Sequence, residues 1–284
     1  MTGYSKRADY ENRLNRVVDH IYNHLEEEVT VERLAEVACL SPYHWHRIYT
    51  ALRGETIATT VKRLRLQRAA DRLANSDGPI KDIAARAGYS ALESFGRAFK
   101  EAYQQSPADY RTHGSHAKFK AANAAKDTSC FDVAIEVLPA IRCASVAHKG
   151  SYMQIDQAMG QLFSNLGTQK LLTLKSRMIG VFFDDPDLVP ESELRSIACS
   201  PIAEQAELTA PLEVTTLNGG AYAKLRYRGP YADMKEAYRW LFGVWLPESG
   251  YEAANAPAFE AYLNNPQQVP PTELLTDIHL PLEV

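Results

Sequence analysis

Residues 80–111 read IKDIAARAGYSALESFGRAFKEAYQQSPADYR. Ile80 to Ala87 has the length of a short helix. Gly88-Tyr89-Ser90 supplies a turn in which Gly88 tolerates the positive φ that such turns often need. A second helix runs from Ala91 to Tyr103, with Phe95 and Phe99 on its inner side and Glu93, Ser94 and Arg97 reaching outward. Two helices across a tight turn make a helix-turn-helix.

The same arrangement stands about 49 residues earlier. Thr30 can cap a helix that carries Leu34, Ala35 and Ala38, and a break at Cys39-Leu40 precedes Ser41-Pro42. Serine before proline predicts a capped start for the next helix. That helix would present Tyr43, His44, His46 and Arg47 near its beginning and pack Trp45, Ile48 and Tyr49 inward. Between the two units, IATTVKRLRLQRAADRL (57–73) reads as a longer helix bearing Lys62, Arg63, Arg65 and Arg68. Upstream, Leu14, Val17, Val18, Ile21 and Leu25 mark one further amphipathic face.

A helix fits the major groove, where base edges carry a distinct donor and acceptor pattern. Two helices held roughly 34 Å apart by a stiff connection enter successive grooves on one side of a duplex. Arg47 and Arg97 suit guanine O6 and N7, while other basic and hydroxyl groups meet phosphates. The charge balance agrees. Residues 1–120 hold 19 Lys and Arg against 15 Asp and Glu, whereas the remainder holds 12 against 20. Only the first half is expected to meet an anionic polymer.

LAEVACLSPYHWHRIYTALRGETIATTVKRLRLQRAADRL (34–73), followed by residues 80–111, resembles the AraC/XylS family of regulators over about residues 12–112. The elements that carry the likeness include Leu40-Ser41-Pro42, Ile83-Ala84, Gly88-Tyr89-Ser90, Phe95-x-Arg97-x-Phe99-Lys100 and Ser106-Pro107-x-x-Tyr110-Arg111. The resemblance implies base contacts from Tyr43, His46 and Arg47 in the first unit and from Glu93, Ser94 and Arg97 in the second. One departure is Tyr103-Gln104, where the family usually has Phe-Gly, so Gln104 must end its helix without glycine.

Residues 113–130, rich in Ala, Lys and Ser, read as a linker that is helical in part. The region beyond, 131–284, contains an internal duplication at a shift of 79 to 80 residues. Leu138, Gly150, Tyr152, Ala158 and Leu162 meet Leu217, Gly229, Tyr231, Ala237 and Leu241. Pro186, Val189, Pro190, Glu193 and Pro201 meet Pro266, Val269, Pro270, Glu273 and Pro281. Each copy reads strand, strand, helix, then a strand pair, and two such α+β units leave a groove along their seam. The symmetry breaks where Glu260 aligns with Gly180. A carboxylate among aromatic rings attracts a lipophilic cation, because the rings give apolar area and π faces and the carboxylate gives countercharge. Tyr152, Tyr222, Tyr231, Trp240 and Tyr262 are the expected walls.

This half resembles the GyrI-like effector-binding fold found in regulators of the Rob and multidrug-sensor type. The likeness rests on VAHKGSYMQI (146–155), KLRYRGPYADM (224–234), FEAYLNNP (259–266) and TELLTDIHLPLEV (272–284). It implies a pocket between the repeats with Glu260 as its carboxylate. The expectation is therefore a two-domain chain, an all-α double helix-turn-helix over residues 1–112 and a GyrI-like α+β domain over 131–284. It would act as a transcription regulator and not as an enzyme. Its partners would be double-stranded DNA, a small-molecule effector and RNA polymerase. Two alternatives stay open: a hydrolase, since GyrI-like domains have hydrolytic relatives, and a module for protein contacts alone.

The four cysteines and eight histidines form neither a C-x-x-C nor an H-E-x-x-H pattern, so no metal or other cofactor is expected. Without an apolar leader or an apolar run of membrane-spanning length, a cytoplasmic protein off the membrane is expected.

Overall fold

Helical periodicity at the start of the chain and strand alternation at its end become separate bodies in the computed structural model. It describes residues 3–27, 29–42, 44–266 and 268–283, with side chains from Asp9 onward. One unit ends at Thr112 and the other begins at His113.

The first unit holds α1 (Gly3–Asn23), α2 (Val31–Ala38), α3 (Trp45–Arg53), α4 (Ile57–Asn75), α5 (Ile80–Arg86), α6 (Leu92–Tyr103) and α7 (Pro107–His113). Leu14, Val17 and Ile21 of α1 are wholly buried, as are Leu34 and Ala38 of α2. Thr30 caps α2, its hydroxyl accepting the Arg33 N–H at 3.3 Å. The Ser41-Pro42 pair behaves otherwise than expected. The Ser41 carbonyl accepts the N–H groups of His44 and Trp45, both at 3.2 Å, so the pair lies in the turn and α3 begins at Trp45.

Each basic side chain of α4 is held by the protein itself. Lys62 pairs with Glu101 at 3.0 Å and Arg63 with Glu55 at 2.8 Å. Arg65 donates to the Leu25 and Glu27 carbonyls, and the Arg68 guanidinium lies 4.4 Å from the Tyr22 ring centre. Such contacts fix the long helix against its neighbours. In the second helix-turn-helix, Gly88 adopts φ +83°, and Gln104 closes α6 at φ 58° with its N–H on the Lys100 carbonyl. Glutamine thus takes the left-handed position usually given to glycine. Phe95, Phe99 and Tyr110 are fully buried, and Phe99 stacks on Tyr103 at 4.5 Å.

The second unit runs α8 (Ser115–Ala125), β1 (Val133–Leu138), β2 (Ile141–Lys149), α9 (Ile155–Thr168), β3 (Met178–Phe182), β4 (Arg195–Pro201), β5 (Glu213–Leu217) and β6 (Gly220–Arg228). It continues with α10 (Met234–Trp240), α11 (Leu246–Ser249), β7 (Glu252–Ala253), β8 (Ala258–Tyr262) and β9 (Leu275–Glu283). The strands form an antiparallel sheet in the order β1-β6-β9-β8-β3-β4-β2-β5, with the short β7 against β9. Two residues, Pro139 and Ala140, join β1 at one end of that order to β2 near the other, so the sheet must curl to close the gap. A Cβ on Gly219 would lie only 2.7 Å from the Ala140 nitrogen, which shows how closely the two turns meet.

Strand alternation gives the sheet two faces. On one, α9 covers Ala144, Val146 and Ala198, while α8 and α10 cover Ala223, Leu225, Ile278 and Leu280. The other gathers Cys143, Ile179, Val181, Cys199, Tyr222 and Phe259. The stretch expected to be a linker is largely α8. Phe119 is buried against α10 and stacks on Phe131 at 3.8 Å. Only His116, Phe119 and Ala122 carry this packing, which is why the run reads as featureless in sequence.

Gly88→Ala should destabilise the first unit by about 1–3 kcal/mol. The positive φ resists a side chain, and the new methyl would fall 2.5 Å from the Arg65 guanidinium that holds two carbonyls. Chemical denaturation measures this, and an unchanged midpoint would contradict the strain.

Candidate functional site

On the first unit, the helices that follow each turn sort their side chains cleanly. His44, at the cap of α3, and His46 and Arg47 within it are exposed, while Trp45 and Tyr49 are buried. Tyr49 is pinned by a 2.7 Å hydrogen bond to Thr60. Tyr43 lies outside the described residues. On α6, Glu93 and Arg97 are exposed and Ser94 is half-buried, with Phe95 and Phe99 beneath. Among the described residues no ion pair engages Arg47 or Arg97, in contrast to Lys62 and Arg63. His46 and Thr50 share an open groove of about 870 Å³ with Lys62, Gly88 and Tyr89.

On the second unit, the helix-covered face carries a buried carboxylate. Glu260, 4% exposed, sits in register with Gly180 of β3 on one side and Ile278 of β9 on the other. Its Oε1 accepts the Tyr238 hydroxyl at 2.9 Å and its Oε2 accepts the Tyr262 hydroxyl at 2.8 Å. Tyr231 packs edge-on against Tyr262, with ring centres 5.4 Å apart. Tyr152 meets Phe182 edge-on at 4.7 Å and donates its hydroxyl to the Asp184 carbonyl at 2.9 Å. Because Gly180 has no side chain, Phe182 and Ile155 close to 3.0 and 3.1 Å of where its Cβ would stand. Tyr152, Tyr231, Tyr238 and Tyr262 are all half-buried, so the aromatic side of the site reaches the surface.

Burial dominates the electrostatics. It pushes the Glu260 carboxyl up to about 7, against the pull of the two tyrosine hydroxyls that favour its charged form. Burial and then the nearby carboxylate raise the Tyr231, Tyr238 and Tyr262 hydroxyls above their ordinary value. Such a site can hold a proton near neutrality or release it to solvent when a cation takes its place.

Two expected wall residues lie elsewhere. Tyr222 is on the opposite face, because Ala221 and Ala223 face the helices and alternation turns the residue between them away. Its ring packs on Phe259 at 5.3 Å and its hydroxyl donates to the Asn218 carbonyl. Trp240 is fully buried, with its indole N–H on the Asp127 carbonyl at 2.8 Å and its ring against Phe119 and Phe131. Tyr238, absent from the expected walls, occupies the site. Within α10, Tyr238 reaches Glu260 while Trp240, two residues on, turns to another side of the helix.

Residues 131–283 match the GyrI-like small molecule binding domain, and residues 34–113 match a helix-turn-helix domain. The chain therefore belongs to the GyrI-like family and carries an AraC-type helix-turn-helix domain ahead of that domain. It is 33% identical over 114 residues to the DNA gyrase inhibitor of Salmonella typhimurium, covering 39% of this chain and 72% of that protein. It is 34% identical over 103 residues to the HTH-type transcriptional regulator YbfP of Bacillus subtilis, covering 36% of this chain but only 35% of that one. Among solved structures it resembles an EcmrR–DNA complex at 12% identity and a TM-score of 0.49, covering 90% of this chain and 99% of that one. Of the two relatives, the Salmonella protein is an inhibitor and the Bacillus protein a transcriptional regulator. No helix among the described residues is long and apolar enough to cross a membrane.

Glu260 should leave a pH signature on stability. With its carboxyl near 7 in the folded state and near 4.5 when free, the folded protein binds more protons between those values. Stability is unaffected by this group below about 4.5 and falls as pH rises through 7, by about 3 kcal/mol in all. Denaturation of the full chain at a series of pH values should show this decline, and Glu260→Gln should remove it. An identical decline in both proteins would assign it to other groups.

Proposed function

We propose that the chain is a sequence-specific, DNA-binding transcription regulator whose second unit senses a small lipophilic cation at Glu260. The observation that carries this reading is the carboxylate enclosed by half-buried tyrosines. A buried anion without a countercharge is costly, and a cation with apolar substituents relieves that cost while filling the aromatic walls. Tyr152, Tyr231 and Tyr262, with Tyr238, form those walls on this reading.

The strand order supports a duplication with a central groove. Exchanging β1 with β5, β2 with β6, β3 with β8 and β4 with β9 reverses the order and leaves it unchanged. Gly180 and Glu260, 80 residues apart, face one another at its centre. One half thus offers a bare backbone position, closed over by Phe182 and Ile155, where the other offers charge.

His44, His46, Arg47, Glu93, Ser94 and Arg97, with Tyr43, form the DNA-reading surface in this proposal. Its support is the pattern of outward polar side chains over buried aromatic anchors. Coupling runs through Asp233, two residues beyond Tyr231. Its carboxylate accepts the Ser115 hydroxyl and lies 3.1 Å from His116 Nδ1, at the start of the helix that follows the DNA-reading unit in sequence. An effector that shifts Tyr231 acts on that anchor, and so biases two states of the regulator by differential affinity. The protein works in the cytoplasm, with double-stranded DNA, the effector and RNA polymerase as partners.

Arg47→Ala and Arg97→Ala should each weaken binding to a duplex selected by the protein from a random pool, by about 1–3 kcal/mol with circular dichroism unchanged. Tetraphenylphosphonium should shift the duplex affinity of the wild type and not that of Glu260→Gln. Full affinity in both arginine variants would overturn the DNA-reading assignment, and an equal shift in Glu260→Gln would overturn the charge pairing.

A further inference from the structure

The face of the sheet that carries Glu260 also holds a buried hydroxyl without a hydrogen-bond partner among the described residues. Thr276 of β9 is fully buried, and its hydroxyl has no hydrogen-bond partner among the described residues. It is in register with Tyr262 on one side and Tyr227 on the other. Alternation therefore puts it on the face that carries Glu260, whose partner Ile278 lies two residues further along β9. The hydroxyls of both neighbouring tyrosines are committed elsewhere, Tyr262 to Glu260 and Tyr227 to the Pro230 carbonyl at 2.9 Å. Burying a hydroxyl unpaired costs stability, and valine would have the same shape without that cost.

We infer that Thr276 is a second polar contact for the effector, which selects lipophilic cations carrying an oxygen at a set distance from the charge. This inference rests on the cation reading of Glu260. Glu260 and Thr276 are diagonal neighbours on adjacent strands, about 7–8 Å apart between backbones. A ligand whose charged nitrogen sits at Glu260 can therefore place a hydroxyl, ether or carbonyl oxygen at Thr276. The threonine hydroxyl can donate to any of these and can accept from an alcohol. Binding then supplies the hydrogen bond that the free protein lacks.

The test uses the full chain and two benzyldimethylammonium salts. One carries an n-hexyl tail, and in the other a terminal hydroxyl replaces the last methyl. Calorimetric titration of the wild type should show binding of both. Thr276→Val should lose about three- to tenfold in affinity for the hydroxylated salt and keep its affinity for the hydrocarbon salt. Its denaturation midpoint should match or exceed that of the wild type. Glu260→Gln should lose affinity for both salts.

Equal affinities of Thr276→Val and wild type for the hydroxylated salt, with Glu260→Gln still impaired, would overturn the role of Thr276 alone. A parallel loss for both salts, or a lowered midpoint, would make the threonine a packing residue and overturn it too. Failure of the wild type to bind either salt, or full binding by Glu260→Gln, would overturn the cation reading and this inference with it.

Discussion

The hydrogen bonds from Tyr238 and Tyr262 to Glu260 place a carboxylate where the physical chemistry of folding disfavours one. Burial raises the proton affinity of the group, and the two hydroxyls only partly restore its charged form. Much of the surrounding structure follows from accommodating it. Gly180 opposite leaves room that Phe182 and Ile155 fill, and Tyr231 and Tyr152 extend the aromatic wall toward the surface. The carboxylate stands on the strand pair at the middle of the sheet.

The first unit meets the opposite requirement. A protein that reads DNA needs exposed cations, yet long basic side chains also serve to fasten helices. Here the two tasks are divided. The connecting helix α4 binds its own Lys62, Arg63, Arg65 and Arg68 to carboxylates, carbonyls and a ring within the unit. Arg47 and Arg97 stay exposed above buried aromatic residues. Rigidity comes from one set, while no ion pair among the described residues engages the other.

Local chemistry in the sequence was most informative where a residue has one physical option. Thr30 as a cap and Gly88 at positive φ fall where the sequence reading put them. The outward and inward turns of α3 and α6 follow from spacing, and Glu260 and Tyr262 share a face as strand alternation requires. Ser41-Pro42 misled because the serine carbonyl receives the N–H groups of His44 and Trp45 across a turn, and the regular helix starts only at Trp45. Tyr222 misled because aromatic character says nothing of which face a strand residue takes until the register is fixed. The docking of α8 on α10 leaves little pattern in the linker, since one phenylalanine between alanines and lysines carries it. The anchor at Asp233 joins residues 117 or more positions apart in sequence, which no local reading can find.

The most direct measurement of whether the Glu260 carboxylate is the seat of the charge is a count of protons exchanged on binding. Titration of the full chain with tetraphenylphosphonium in buffers of different ionisation enthalpy gives that count. With a carboxyl near 7, close to one proton should leave per cation bound at pH 6 and almost none at pH 8. Binding at pH 6 with no proton released would contradict the account, because the cation would then be held without ionising the buried carboxylate.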